Sequence, residues 1–193
     1  TEILFFKDGI LRHMEILQIG GNKITECIAS KLKISWELAE EFKRTYVTAI
    51  LDEIKEDEEI LVKKASTYRP IKRKLIAQSC KDTIDQMIAL IKEKIDNSSY
   101  KDQAESGIII TGGASHLVGL LELVESLVGL PTRLGKFKNL PTATYKNPKY
   151  ATVVGLIYYY LDNLFSNKHP IQKGTNLVES LIRQMRYLYQ EYF

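Results

Sequence analysis

Hydrophobic and polar positions follow two different periods along the chain, which predicts strands interleaved with helices. Near the start, two apolar runs flank Asp8-Gly9, a pair typical of a tight hairpin turn, so we expect strands over residues 3–6 and 10–19. The run Ile108-Ile109-Ile110 predicts a short strand buried on both faces. The apolar run at residues 60–62 and the segment Thr132-Arg133-Leu134 predict two further strands.

Helical periodicity and capping residues predict the helices. Thr25 is a reasonable N-cap for a helix ending near Leu32, and Ser35 for one that extends to about Ile50. The longest helix covers about residues 71–95, where one apolar face recurs at intervals of three and four. That face comprises Ile76, Cys80, Ile84, Met87, Ile88, Ile91 and Ile95. Two later helices are expected at about 117–127 and 150–164.

This order of strands and helices predicts an α/β fold with a mostly helical insertion. We expect an α/β core from residues 1–34 and 104–164, with an inserted subdomain at 35–103. Residues 165–175 contain Ser, Asn, Pro, Lys and Gly and predict a flexible linker. A separate amphipathic segment then covers 176–193.

Composition excludes several classes of protein. Lys and Arg number 27 against 24 Asp and Glu, a net charge of +3 that is too even to indicate nucleic-acid binding. The two cysteines, Cys27 and Cys80, lie far apart without metal-ligand spacing, so neither a zinc site nor a disulfide framework is expected. No apolar run reaches the roughly 20 residues that a membrane span requires.

The segment after the third isoleucine carries the most informative chemistry. Thr111-Gly112-Gly113-Ala114-Ser115 joins a strand to a helix, and its glycines let the backbone approach a ligand closely. Gly20-Gly21 forms a second such turn. Glu40 and Lys43 share one face of a helix, where a carboxylate and an ammonium could bind a sugar and a ring. On spacing alone, a plain tight turn explains the glycines equally well, and an ordinary surface ion pair explains Glu40 and Lys43 better.

Four segments that occur in a fixed order favour a ligand-binding interpretation instead. They are residues 19–25, 39–43, 107–115 with Gly119-Leu120, and 148–156. This ordered set resembles the second half of the bacterial FtsA cell-division family, within the actin/Hsp70-like ATPases. The resemblance extends over roughly residues 1–165 and implies one actin-like (ribonuclease H-like) lobe. Thr1 would then be the last residue of a phosphate motif, so we expect the chain to begin inside a fold.

The resemblance also implies a ligand and roles for individual residues. ATP would lie between two lobes, with Mg²⁺ bound mainly through the missing first half. Gly112, Gly113 and Ala114 would back the adenosine, while Glu40 and Lys43 would contact ribose and base. Gly20 and Gly21 would line the cleft. No catalysis is expected from this chain alone, and at most slow ATP hydrolysis once it is joined to the first half.

Partners follow from the same resemblance. An FtsA-like protein would anchor FtsZ filaments at the cytoplasmic face of the membrane at the division septum, and would self-associate and meet other divisome proteins. This sequence has Cys80 and Thr83 where the family has Arg and Glu that hold the FtsZ tail. The usual contact is therefore altered, or moves to neighbours such as Lys81 and Asp82. Cys27 and Val47 also replace a frequent Asp and Gly.

The last 18 residues predict an amphipathic helix that could lie in a membrane interface. Its apolar arc comprises Leu177, Val178, Leu181, Ile182, Met185, Leu188, Tyr189, Tyr192 and Phe193. A helix packed on its own domain or on a partner helix is the alternative.

Other functions remain open on the sequence. A PilM-like pilus-assembly protein would share the fold but lack the amphipathic tail. A sugar or acid kinase of the same superfold would need a substrate-binding carboxylate, normally in the other half. A structural domain without nucleotide is the fourth possibility.

Overall fold

The chain opens with a tight antiparallel hairpin. A computed structural model describes residues 1–64, 67–137 and 147–166. Strands β1 (Glu2–Lys7) and β2 (Ile10–Ile16) pair through a turn in which Asp8 and Gly9 both have positive φ. Two such residues give the turn the twist that a two-residue hairpin favours, which confirms the prediction. The second strand ends at Ile16 rather than at residue 19.

Two short helices follow the hairpin. Helix α1 (Gly21–Leu32) begins four residues before Thr25, so the prediction that Thr25 caps it is wrong. The extended backbone of Gly20 ends the preceding segment instead, without a side-chain cap. Helix α2 (Trp36–Tyr46) is capped by Ser35 as predicted, because the Leu38 N–H donates to Ser35 Oγ over 3.3 Å. It ends at Tyr46, earlier than expected.

A second hairpin precedes the long helix. Strands β3 (Glu59–Lys64) and β4 (Thr67–Lys72) are antiparallel, and helix α3 (Arg73–Asp96) follows directly. Strand β4 is not predicted by the sequence. Along α3, the predicted apolar face is confirmed, since every member except the half-buried Ile91 is buried.

The third sheet joins β5 (Ile108–Ile110) in parallel to β6 (Thr132–Leu134). Burial of β5 on both faces is wrong: Ile109 is 53% exposed, because it points away from the core on which Ile108 and Ile110 pack. A 3-10 turn at Gly113–His116 separates β5 from helix α4 (Leu120–Val128), which therefore begins three residues later than predicted.

The core lies among α1, α2, α3 and α4. Its largest fully buried side chains are isoleucines and one valine: Ile24, Ile28, Ile76, Ile84, Ile88 and Val124. Burying each of these side chains stabilises the fold by roughly 1.5–3 kcal/mol. This packing fixes α1 against α2, the two helices that carry the candidate site.

The last described helix, α5 (Ala151–Ser166), follows a 3-10 turn at Pro148–Tyr150. The chain divides into two units at Val153, so α5 belongs almost entirely to the second unit. Helix α5 reaches Ser166 and so includes the first two residues of the predicted linker. The rest of that linker and the predicted helix at 176–193 lie outside the described residues. Among the described helices, none has the length and apolar character needed to cross a bilayer.

Candidate functional site

Lys43 is the centre of a cluster that joins α1 to α2. Its ammonium lies 2.6 Å from Glu40 Oε2 and donates to Thr25 Oγ1 over 2.8 Å and to the Gly21 carbonyl oxygen over 3.1 Å. An ammonium has three protons, so these three acceptors satisfy it completely. The Lys43 side chain is only 13% exposed. Its charge is therefore held in one place.

Local structure explains why these groups meet. Glu40 and Lys43 are three residues apart on α2, so they share a helix face. Ala39 and Phe42 are buried in the core and fix the rotation of that helix. On α1, Thr25 lies one turn after Gly21, and its hydroxyl points toward the same place.

Glu40 is ionised at neutral pH. Burial raises the pKa of Glu40, but hydrogen bonds from Lys43 and Thr25, together with the positive charges of Lys43 and Arg44, outweigh it and leave that pKa below its usual 4.5. The Thr25 hydroxyl donates to Oε2 over 2.6 Å. About a third of the side chain is exposed, so the carboxylate remains accessible.

The Thr-Gly-Gly turn reaches the same cluster. A Cβ added at Gly21 would lie 3.6 Å from Ala114 Cβ and 3.6 Å from Lys43 Nζ. Gly21 thus occupies the space between the turn after β5 and the ion pair on α2. The structure brings together Gly21, Glu40, Lys43 and Ala114, which the sequence placed in three separate segments.

Gly112 and Gly113 form an open edge beside Ala114. Gly112 has φ 91° and ψ 179°, a conformation open essentially only to glycine. The turn is held from behind, because the Pro148 carbonyl oxygen accepts from the Gly112 N–H over 3.1 Å and from Thr111 Oγ1 over 3.2 Å. A Cβ at either glycine would meet no atom of the described residues within 4 Å. The turn is therefore fixed, while its glycine side is open.

Gly20 lines a groove of about 540 Å³ next to Gly21. Its walls include Thr1, Asn22, Lys23 and Trp36. A second groove of about 440 Å³ contains Glu40 and runs along α2 past Glu37, Glu41, Arg44 and Thr45. Both grooves are open depressions. One is lined by Gly21 and the other by Glu40, and both residues belong to the cluster around Lys43.

Sequence reasoning missed Thr25 and Arg44 as site residues. Thr25 is fully buried between Ile24 and Ile28 on α1. A polar residue on the apolar face of a helix was the available signal, because such a residue needs a buried partner. Arg44 follows Lys43 directly and lines the groove on α2.

A profile of the family described as "Cell division protein FtsA" matches residues 1–155. The chain belongs to the FtsA family. The FtsA of Pseudomonas aeruginosa is 33% identical over 166 residues, 83% of this chain and 40% of the relative. The FtsA of Escherichia coli K12 is 24% identical over 196 residues, 95% of this chain and 47% of the relative. The chain thus spans less than half the length of these FtsA relatives.

Solved structures identify the fold of this FtsA-family chain. ADP-bound MreB5 of Spiroplasma citri matches with a TM-score of 0.64 at 14% identity, covering 86% of this chain and 52% of that one. A PilM–PilN type IV pilus biogenesis complex matches with 0.59 at 16% identity, over 82% and 42%. A MamK mutant bound to AMPPNP matches with 0.57 at 14%, over 79% and 50%. The expected actin-like fold is confirmed.

Proposed function

We propose that this FtsA-family chain binds the adenosine part of ATP at the Gly21–Lys43–Ala114 cluster. The convergence of these residues with Glu40 is the observation that carries the proposal. It supplies an ionised carboxylate for ribose hydroxyls and a fixed ammonium beside a glycine edge. The fold relatives MreB5 and MamK were solved with ADP and AMPPNP, which supports a nucleotide as the ligand.

Each predicted residue has a part in this proposal. Gly112 and Gly113 leave a surface without side chains against which a purine can lie, with Ala114 as its apolar continuation. Glu40 accepts from ribose, Lys43 lies beside the base, and Gly20 and Gly21 keep the cleft free of side chains. The phosphates would extend away from this cluster, toward the other lobe of an actin-like fold.

Mg²⁺ would bind together with the nucleotide and not as a separate ion. In the described ranges, no group of three Asp, Glu, His or Cys side chains is arranged to hold a metal ion. These residues therefore do not fit a resident metal. Mg²⁺ would arrive with the phosphates and be bound mainly by the other lobe of an actin-like fold, which any slow ATP hydrolysis would also require.

Direct titration tests nucleotide binding. ATP with a fluorescent label on its γ-phosphate is titrated into the product of the complete reading frame. The same titration is made with its Gly113→Asp variant and with the exposed control Ser30→Ala. Aspartate at 113 would place a negative side chain in the open space, so binding should fall more than tenfold. The control should bind like the wild type. Equal binding by Gly113→Asp would support a structural domain without this ligand.

We further propose that the chain anchors FtsZ filaments to the cytoplasmic face of the membrane at the division septum. Membership of the FtsA family supports a role in division, and the amphipathic pattern of residues 176–193 supports an interfacial helix. The test is co-sedimentation with vesicles of mixed zwitterionic and anionic lipids, with and without residues 176–193. Equal sedimentation of the two proteins would contradict membrane docking by this segment.

The FtsZ tail would bind the outer face of α3. Cys80 is fully buried and cannot contact a partner, whereas Asp82 is exposed and pairs loosely with Lys31 over 3.5 Å. We therefore place the contact at Lys81, Asp82 and the partly buried Thr83. Anisotropy of a labelled FtsZ C-terminal peptide should show weaker binding to Asp82→Ala than to Ser30→Ala; equal binding would remove α3 from this role. Self-association into filaments and contacts with other divisome proteins belong to the same proposal.

The rival functions differ in what supports them. A PilM-like role shares only the fold, because its structural match is at 16% identity while the family profile is that of FtsA. A sugar or acid kinase would show rapid turnover when small sugars or acetate are mixed with ATP.

A further inference from the structure

Thr25 connects α1 to both charged groups of the candidate site. Its side chain is fully buried. The hydroxyl accepts from Lys43 Nζ over 2.8 Å and donates to Glu40 Oε2 over 2.6 Å, and the Gly21 carbonyl oxygen lies 3.2 Å away as a second acceptor. Thr25 thus contacts each member of the pair as well as the first turn of its own helix.

The proton of this hydroxyl can be assigned from the distances. A hydroxyl has one proton and two lone pairs, so it can accept from Lys43 while it donates to only one oxygen. A threonine inside a helix commonly donates to the carbonyl four residues earlier. Here the carboxylate is 0.6 Å nearer than the Gly21 oxygen and is charged, which makes it the stronger acceptor. The hydroxyl therefore bonds across helices.

This bond determines which carboxylate oxygen remains for a ligand. Lys43 and Thr25 both contact Oε2 of Glu40, each over 2.6 Å. Within the described part of the chain, Oε1 is then left for a ligand hydroxyl. Fixing the carboxylate in this way before binding lowers the conformational entropy that binding must remove.

We propose that Thr25 is a positioning residue for nucleotide binding, whose hydroxyl fixes Glu40 and Lys43 so that Glu40 Oε1 accepts from a ribose hydroxyl. The inference rests on the proposed function, and it adds a residue that does not itself touch the nucleotide. It also assigns a chemical selectivity to the site: a ribonucleotide should bind better than the analogue that lacks the recognised hydroxyl.

The first experiment measures that selectivity. Calorimetric titration of the complete reading-frame product compares ATP with 2′-deoxy-ATP and 3′-deoxy-ATP for Thr25→Val, Thr25→Ser and the control Ser30→Ala on the same helix. Thr25→Val keeps the shape of the side chain but loses the hydroxyl, so ATP should bind about tenfold more weakly. The ratio of the affinity for ATP to that for the analogue lacking the recognised hydroxyl should also fall toward one. Thr25→Ser and Ser30→Ala should keep both values. An undiminished ribose preference in Thr25→Val would overturn the inference.

The second experiment needs no nucleotide. The titration midpoint of the Glu40 carboxyl is followed by NMR in the ligand-free wild type, Thr25→Val and Thr25→Ser, with Thr25→Ala in place of the valine variant if that does not fold. Loss of the hydroxyl should raise the midpoint, and serine should restore it. An unchanged midpoint would overturn the positioning role. A wild type that binds no ATP but shows the shifted midpoint would instead contradict the nucleotide proposal.

Discussion

The Lys43 ammonium donates to the Gly21 carbonyl oxygen over 3.1 Å, which ties the last turn of α2 to the first turn of α1. The same ammonium pairs with Glu40, so one side chain sets both the distance between the helices and the charge of the site. This double role makes Lys43 important for stability as well as for the proposed nucleotide binding.

Lys43→Met should destabilise the protein by about 1–3 kcal/mol, because the partly buried Glu40 carboxylate keeps the Thr25 hydroxyl but loses its positively charged partner. The matched control is Lys23→Met, which removes an exposed pair with Glu26 whose side chains are 54% and 58% exposed. Such a pair contributes about 0.5 kcal/mol or less. Urea denaturation at pH 7 measures both free energies of unfolding. Equal losses would show that the Lys43 contacts contribute no more than a surface pair.

Glu40 predicts a pH dependence of stability. Its pKa is lower in the folded protein than the ordinary 4.5, so its contribution is complete above pH 4.5 and is lost as pH falls through the folded-state pKa. The difference in unfolding free energy between the wild type and Glu40→Gln should therefore shrink below pH 4.5. Glu15, Glu56 and Asp96 also have lowered pKa values, but they titrate in both proteins and cancel in the difference. A difference that stays constant from pH 7 to pH 3 would contradict this prediction.

Gly107 should be the least replaceable of the glycines that flank the third sheet. A Cβ at Gly107 would lie 2.1 Å from the Pro131 carbonyl oxygen, which accepts the Ile108 N–H that starts the β5–β6 pairing. Gly129 has the same φ of 80°, but a Cβ there would meet no described atom within 4 Å, so it is a matched control for backbone strain alone. We expect Gly129→Ala to cost about 1–2 kcal/mol and Gly107→Ala clearly more, measured by urea denaturation. Similar costs at the two positions would show that β6 moves aside.

The two cysteines should react differently with an alkylating reagent. Burial raises the pKa of Cys80 to about 12, so its thiol stays protonated and inaccessible between α3 and the rest of the core. Cys27 is partly exposed. Mass spectrometry after iodoacetamide treatment at pH 8 should find Cys27 modified first and Cys80 only after unfolding. Early modification of Cys80 would mean that α3 opens readily.

Features that depend on neighbours in the sequence could be predicted. Three such features are the Asp8-Gly9 turn, the Ser35 cap and the buried face of α3. Each depends on residues that are no more than a few positions apart in the sequence. Strand β4 could not, because its identity depends on pairing with β3, as in Ile60 with Ile71 and Leu61 with Pro70. Its own residues include a proline and alternate weakly.

The candidate site, too, could be predicted only in part from the sequence. The glycine turns and the spacing of Glu40 and Lys43 were visible in the sequence, and the structure brings Gly21, Lys43 and Ala114 to one place. The position of Thr25 on an apolar helix face indicates a buried partner, but the partners themselves could not be predicted, because they lie 15 and 18 residues away on another helix. The local sequence predicts that Thr25 caps the helix. In the structure Thr25 lies inside α1, and the packing of α1 on α2 brings its hydroxyl to Glu40 and Lys43.

Photolabelling tests the adenosine site most directly. The complete reading-frame product is irradiated with 8-azido-ATP, and the labelled peptides are identified by mass spectrometry with and without excess ATP. We predict that labels protected by ATP fall on the peptides containing Glu40–Lys43 and Gly112–Ala114. Labels confined to other peptides, or labelling that excess ATP does not reduce, would contradict the proposed site.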